Sequence, residues 1–216
     1  NGEYHVGAHP VVDMGCYSLY PTKNLSCAGD GGFITCKDPY VKGLIRMRDN
    51  GRYPKEGVMG VAGNFRLSDF QASIALLNLK QFDDHQMNRI EMAQKYLDAF
   101  EELETDGLIE LPYGFAQSGK SIRNHTYHLF CVKLLKHDVE TVIQQMKEKE
   151  VGCTVAYGNL VSDYILGDDD AEREYPVARE ITESLIALPM SQYMTNDMTQ
   201  IVIDSFMRCL KSGESK

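Results

Sequence analysis

Short apolar runs and polar bends alternate in the N-terminal part of the chain. Residues 14–19 (MGCYSL) and 32–36 (GFITC) are apolar runs flanked by glycine and polar residues, a pattern that predicts two short buried strands. A helix should follow, with Asp38 as its N-cap and Pro39 in its first turn, and it should end before Gly51. This part of the chain therefore predicts a strand pair followed by a helix.

Two longer helices are indicated by apolar residues at helical spacing in the middle of the chain. Ser68 is a favourable N-cap for the first helix, and the second covers about residues 85–103. Stripes of this kind usually pack in a hydrophobic core. We expect the stripe residues to be buried, namely Phe70, Ile74 and Leu77 in the first helix and Ile90, Ala93, Leu97 and Phe100 in the second.

The C-terminal half changes to a mixed pattern of strands and helices. Residues 126–135 (TYHLFCVKLL) predict a strand, and the amphipathic helix that follows should be stopped by Gly152. A short strand at 153–157 and helices near 176–187 and 195–210 complete the pattern. We predict an α/β chain whose C-terminal part is a smaller α+β domain.

Composition narrows the class of protein. The chain has 216 residues, 43% of them hydrophobic, which is enough for one or two globular domains, and we divide it into residues 1–82 and 83–216. The net charge of −9 argues against a nucleic acid or an anionic membrane as partner. No apolar stretch approaches the ~20 residues of a membrane span. The six cysteines lack the spacing of a secreted scaffold, so we expect reduced core cysteines in a cytoplasmic protein.

One lysine has an unusual sequence context, in the stretch YPTKNLSCAGDGG at residues 20–32. Lys23 falls in a bend between two predicted buried strands. Desolvation there disfavours the charged ammonium unless the side chain loses its proton, is paired with an acid or is covalently modified. A lysine side chain that has lost its proton is a nucleophile. Ser18 precedes it at the polar end of a strand, and its hydroxyl could donate to a phosphate. The glycines after Lys23 let the backbone approach a ligand closely. A lysine beside a phosphate anchor favours pyridoxal phosphate, and a solvated turn lysine or a phosphate-binding loop are the alternatives.

Three segments, in order along the chain, resemble the DegT/StrS family of pyridoxal-phosphate sugar aminotransferases. The segment CYSLYPTKNLSCAGDGGFITCKD resembles the cofactor-lysine segment of that family, and GNFRLSDFQASIALLNLKQFDD resembles the start of its next helix. The segment EYPVAREITESLIALPMSQYMTNDMTQIVIDSF is similar to its C-terminal part. The resemblance covers nearly the whole chain. It implies a fold-type I architecture, with residues 1–82 as the C-terminal part of the large cofactor domain and residues 83–216 as the small domain.

The resemblance also implies roles for particular residues. Lys23 matches the lysine that forms a Schiff base with pyridoxal phosphate and moves a proton in the reaction, and Ser18 matches a hydroxyl that binds the phosphate. Asn64 matches an asparagine that reaches the phosphate from the neighbouring subunit, which implies a homodimer with composite sites. Tyr157 matches a tyrosine near the substrate, and Ala156 stands before it where the family often has histidine.

The implied reaction transfers an amino group, usually from glutamate, to the keto group of a nucleotide-linked sugar. In the family, the aspartate that pairs with the pyridine nitrogen lies upstream of the lysine, and this chain begins at Asn1 without it. We therefore expect a fragment of a longer protein. The alternatives are a non-catalytic regulatory or scaffold homologue that keeps the fold, an inactive fragment, and a phosphate-binding module. No metal site is indicated.

Overall fold

The chain folds into two compact units. The computed structural model describes residues 7, 9–112, 125–166 and 175–211. The first unit covers Asn1–Asp83 and the second Asp84–Lys216. Within the described residues, the first unit contains two small antiparallel hairpins, and the second contains one four-stranded antiparallel sheet with helices packed on it.

The described part of the first unit contains two antiparallel hairpins and two complete helices. Its elements are β1 (Met14–Ser18), β2 (Gly32–Cys36), α1 (Asp38–Arg48), β3 (Arg52–Tyr53), β4 (Gly57–Val58) and α2 (Asp69–Lys80). The strands β1 and β2 lie where the sequence predicts them, but the prediction that they are buried is wrong. Among the residues of these two strands only Gly15 is buried, because a two-stranded ribbon does not enclose its own faces.

The helix starts of the first unit agree with the sequence to within one residue. Lys37, in extended conformation, is the N-cap of α1, and Asp38 is the first helical residue instead of the cap. An acidic side chain in the first turn still interacts favourably with the helix dipole. Ser68 caps α2 as predicted and forms a capping box with Gln71.

The apolar stripe of α2 is not buried, and this prediction is wrong. The structure describes every residue of α2, and none of them is buried. Phe70 is 73% exposed and Leu77 is 61% exposed. The helix instead turns a face with two amides, Gln71 and Asn78, toward its own unit. The side of α2 that faces its own unit therefore carries two amides that hydrogen-bond to a neighbouring loop.

The sheet of the second unit has the strand order β5-β6-β8-β7, and every pair in it is antiparallel. The long helix α3 begins just before the boundary between the units. The elements are α3 (Phe82–Thr105), β5 (Ile109–Glu110), β6 (Phe130–Leu134), α4 (Val139–Glu148), β7 (Thr154–Val155), α5 (Asp163–Leu166), α6 (Pro176–Ser184), β8 (Leu185–Leu188) and α7 (Asn196–Lys211).

Aromatic side chains fill the core of the second unit. Tyr96, Phe100, Phe130 and Phe206 are all fully buried, and the ring centroids of Phe100 and Phe206 are 5.0 Å apart. The Tyr96 hydroxyl donates to the Pro189 carbonyl oxygen at 2.8 Å, and burial raises the pKa of this phenol. The predicted stripe of α3 is confirmed, because Ile90, Ala93 and Phe100 are buried and Leu97 packs against them.

Residues 185–187 form a strand, although the sequence predicts them as the end of a helix. The helix α6 ends at Ser184, and the apolar run LIAL becomes β8, which lies between β6 and β7 in the sheet. Ile186 is fully buried there. A continuous apolar run fits a strand that is covered on both faces, and tertiary packing outweighs the helical spacing.

The strand predicted at 126–135 is shorter than expected. Only Phe130–Leu134 forms β6, and Tyr127 has a left-handed backbone with φ of 43°. A residue whose backbone has a positive φ does not fit the extended conformation of a strand. The Tyr127 side chain is nevertheless buried, so the residues before β6 pack as an ordered loop.

The cysteines are free thiols, but only half of them are in the core. Cys27, Cys153 and Cys209 are buried, whereas Cys16 is exposed; the partly exposed ones are Cys36 and Cys131. Burial raises the pKa of Cys153 to about 12, with a smaller contribution from Cys209. The prediction of six core cysteines is therefore wrong for three of them.

The C-terminus of α4 gives a test of backbone strain. Glu150, not Gly152, takes the left-handed position, with φ of 60°, and Val151 N donates to the Met146 carbonyl oxygen at 3.0 Å. Because glycine carries no left-handed penalty, Glu150→Gly should raise the free energy of unfolding by about 1 kcal/mol. Urea unfolding followed by circular dichroism measures this.

The matched control is Gly152→Ala. A Cβ built on Gly152 meets no heavy atom of the described residues within 4 Å. Alanine there should change the free energy of unfolding by less than about 0.5 kcal/mol. If Glu150→Gly is no more stable than the wild type, Glu150 is not the strained end of the helix.

Candidate functional site

The loop that connects β1 to β2 carries Lys23, and residues 19–31 are called the lysine loop here. Backbone hydrogen bonds close the base of this loop. Leu19 N donates to the Gly31 carbonyl oxygen at 2.8 Å, and Cys27 N donates to the Leu19 carbonyl oxygen at 2.9 Å. The lysine loop is therefore an ordered extension of the hairpin.

Ser18 and Lys23 lie on this one hairpin and are linked through Tyr20. Lys23 N donates to the Tyr20 carbonyl oxygen at 2.9 Å, which closes a turn, and Tyr20 N donates to Ser18 Oγ at 3.2 Å. Lys23 is half-buried and Ser18 is exposed at the end of β1. Since Ser18 Oγ accepts this bond, its own proton can be donated to a ligand.

The glycines of the lysine loop serve its internal packing. A Cβ on Gly31 would lie 2.5 Å from Cys27 Sγ, and a Cβ on Gly29 would lie 2.9 Å from Gln71 Nε2. Cys27 is fully buried. Ala28 has a left-handed backbone with φ of 58°. Close packing explains these two glycines without a ligand, which differs from the sequence-based interpretation.

Two amides of α2 bind the lysine loop, and sequence reasoning missed both. Gln71 Nε2 donates to the Asp30 carbonyl oxygen at 2.7 Å, and Asn78 Nδ2 donates to the Ser26 carbonyl oxygen at 2.9 Å. The amides are seven positions apart and so share one side of the helix. The available signal was a pair of amides at this spacing on one side of a predicted helix.

Asn64 lies on a different segment of the first unit, between β4 and α2. It forms an isolated antiparallel bridge with Asp49, and its Oδ1 accepts a hydrogen bond from Arg66 N at 3.4 Å. The Arg66 guanidinium forms an ion pair with the Asp49 carboxylate. Asn64 is therefore held by backbone and side-chain contacts at the end of α1.

The segment before Asn64 is fixed to α1 by a second group of charges. Lys42 Nζ donates to Glu56 at 2.6 Å, and Arg46 also pairs with this carboxylate. The hydrogen bond from Lys42 is the main cause that lowers the pKa of Glu56. Both cations also lie over the Tyr53 ring, at 5.0 Å for Lys42.

Tyr157 lies in the second unit, just after β7, whereas Lys23, Ser18 and Asn64 are in the first. Its side chain is 66% exposed. The turn that follows is held by Asp163, which accepts from Leu160 N at 2.7 Å and pairs with Arg179.

Among the described residues, no group of three or more His, Cys, Asp or Glu side chains could hold a metal ion.

An open groove of about 990 Å³ runs between the hairpin and α1. Its lining is mainly apolar and includes Ile34, Val41 and Phe65, with Ser18 as one of the polar members. Ile34 is 48% exposed and Phe65 is 73% exposed. The Ser18 hydroxyl therefore lies beside an exposed apolar surface.

The fold and the lysine hairpin agree with one family. The sequence model of the DegT/DnrJ/EryC1/StrS aminotransferase family matches residues 3–207. The chain belongs to this family, which confirms the resemblance of the three sequence segments. The predicted α/β fold class is also confirmed, because the structural neighbours are aminotransferases of this kind.

Individual relatives are similar over nearly all of this chain. A dTDP-3-amino-3,4,6-trideoxy-alpha-D-glucose transaminase of Micromonospora megalomicea subsp. nigra is 26% identical over 206 residues, which cover 92% of this chain and 52% of the relative. The structure of DesV from S. venezuelae in complex with a ketimine intermediate superimposes with a TM-score of 0.80 at 24% identity, covering 98% of this chain and 54% of DesV.

A third similar protein is NtdA from Bacillus subtilis, solved with its bound cofactor PMP. Its TM-score is 0.77 at 22% identity, over 93% of this chain and 46% of NtdA. The chain thus spans about half the length of the proteins it matches.

Proposed function

We propose that the protein to which this chain belongs is a pyridoxal-phosphate-dependent aminotransferase that moves an amino group, from a donor such as glutamate, to a nucleotide-linked keto sugar. The observation that carries the proposal is the lysine hairpin, where Lys23 and Ser18 are linked through Tyr20. Family membership and the transaminase activity named for a relative support it.

The residues of the hairpin fit the cofactor in kind. The Lys23 amine is the group that would hold the cofactor aldehyde covalently, and the Ser18 hydroxyl has a proton to donate to the phosphate. When bound, pyridoxal phosphate supplies an electron sink for the carbon that carries the amino group. The Lys23 amine, when not bonded to the cofactor, would be the base that takes a proton from that carbon.

We further propose a homodimer in which Asn64 of one copy donates to the phosphate bound by the other. Large exposed apolar side chains lie on either side of Asn64 and support an interface there. Val61 is fully exposed, and Phe65 and Phe70 are each 73% exposed. Residues 1–82 then belong to the large cofactor domain and residues 83–216 to the small domain.

Tyr157 is proposed as a substrate-binding residue of the small domain. Its exposed phenol ring can stack on or hydrogen-bond to a substrate.

A cytoplasmic location is proposed from the six free thiols. Within the described part of the chain, no helix combines the length and the apolar character that a membrane span requires.

The experiment is to mix the protein with pyridoxal phosphate, record the absorbance spectrum, reduce with borohydride and map the modified peptide. It is run on this chain and on a longer protein that contains it. We expect an adduct on Lys23, which Lys23→Arg abolishes, because guanidinium does not react as a free amine. Ser18→Ala should weaken cofactor binding about tenfold through loss of a charge-assisted hydrogen bond.

Lys80→Arg is the control, because Lys80 is an exposed lysine at the end of α2. It should leave the adduct unchanged. Absence of an adduct on residue 23 in both proteins would contradict the aminotransferase proposal. An adduct without transfer to any keto sugar would instead identify a non-catalytic homologue.

A further inference from the structure

We propose that Gln71 and Asn78 are positioning residues that hold the Lys23 amine in register with the Ser18 hydroxyl. This inference rests on the proposed function of Lys23. Both amides donate to carbonyl oxygens of the limb that returns from Lys23 to β2. They fix that limb to α2, whereas the outgoing limb is fixed to Ser18 through Tyr20. The lysine is therefore held between two anchored limbs.

The orientation of the Gln71 amide is set by the capping box of α2. The Ser68 hydroxyl donates to Gln71 Oε1 at 2.8 Å, and Gln71 N donates to Ser68 Oγ at 3.3 Å. With its oxygen occupied by Ser68, the amide presents its NH₂ group to the Asp30 carbonyl oxygen. Only a side chain that has both an acceptor and a donor can do this.

Asn78 holds the other end of the same limb. Its amide nitrogen lies 2.9 Å from the Ser26 carbonyl oxygen and 3.4 Å from Ser26 Oγ. Between the two anchored positions, the buried Cys27 and the close approach of Gly29 to Gln71 leave little room for the limb to shift. A change at either amide is therefore transmitted along the loop toward Lys23.

Two isosteric variants separate the contact from the helix. Gln71→Glu keeps the capping box, in which glutamate is a normal partner, but has no proton for the Asp30 carbonyl oxygen. Asn78→Asp removes the donor to Ser26 in the same way. Ser73→Glu is the matched control, because it adds the same charge to an exposed position of α2.

The readout is the ratio of Lys23 modification by pyridoxal phosphate to its modification by pyridoxal, which lacks the phosphate. Each adduct is fixed by borohydride and quantified by peptide mapping, with Lys80 in the same sample as the reference lysine. The wild type should prefer the phosphate form by about tenfold, because amine and phosphate anchor act together. The ratio should fall to about 1 in Gln71→Glu and Asn78→Asp, and stay unchanged in Ser73→Glu. Because Lys23 of an unfolded chain would react with both aldehydes without preference, the ratio is compared only among variants whose circular dichroism matches that of the wild type.

Each outcome decides between the two proposals. If the wild type shows the preference and both variants retain it, the positioning role is wrong and the proposed function stands. If Lys23 of the wild type reacts without preference for the phosphate form, the register with Ser18 is wrong. If neither this chain nor the longer protein forms an adduct on Lys23, the proposed function fails, and the positioning role fails with it.

Discussion

Replacing Phe100 by alanine should lower the free energy of unfolding of the second unit by about 3–5 kcal/mol. The Phe100 ring is fully buried, with its centroid 5.0 Å from that of Phe206 and 5.6 Å from that of Tyr96. Removing it leaves a cavity between α3 and α7 that two other fixed rings cannot fill. Urea unfolding monitored by near-ultraviolet circular dichroism measures the loss.

The matched control is Ile201→Ala on α7. Ile201 is 55% exposed, so its truncation should cost less than about 0.5 kcal/mol. A loss below about 1 kcal/mol for Phe100→Ala would mean that the aromatic cluster does not enclose this ring.

The core of the second unit could be predicted because its helices obey a simple spacing. Ile90, Ala93 and Phe100 recur at helical intervals on α3, and all three are buried. The run at Leu185–Leu188 follows the amphipathic α6 without a break, and its apolar residues satisfy a helix and a buried strand equally well. Its pairing with β6, more than fifty residues earlier in the chain, is information that local spacing does not contain.

Glycine positions were misleading for a related reason. Gly152 is the expected helix stop after α4, but Glu150 takes the left-handed conformation. The sequence context of Gly29 and Gly31 predicts close approach of a ligand, although their missing Cβ atoms make room for Gln71 and Cys27. A sequence shows where backbone freedom is available. It does not show whether packing or a ligand requires that freedom.

In the candidate site too, some residues could be predicted from the sequence and others could not. Ser18 ends β1 and Lys23 lies in the loop that follows, so the sequence can predict that these two residues are close together. Their linkage through Tyr20 agrees with this prediction. Gln71 and Asn78 act through hydrogen bonds to backbone carbonyls, which every residue has. No side-chain pattern in the lysine loop indicates such a partner, and the apolar residues of α2 predict that a different side of that helix faces inward.

Arg89→Met should lower the free energy of unfolding of the second unit by about 3 kcal/mol. The Arg89 guanidinium is buried, and it donates to the Tyr127 carbonyl oxygen at 3.1 Å, the Met190 carbonyl oxygen at 3.4 Å and Gln192 Oε1 at 2.7 Å. Burial is the main cause that lowers the pKa of this group. Methionine preserves the apolar stem but leaves these three acceptors without the donor.

Two further variants show whether the donors or the stem of Arg89 account for the loss. Arg89→Lys retains a charge and should recover part of the stability, because an ammonium group can satisfy some of the carbonyl oxygens. Arg208→Met, at an exposed position in the last turn of α7, should cost less than about 0.5 kcal/mol. Urea unfolding of the three variants under identical conditions makes the comparison. If Arg89→Met is as stable as Arg208→Met, the loops at Tyr127 and Met190 are held by apolar packing, and the buried guanidinium is not the tie between them.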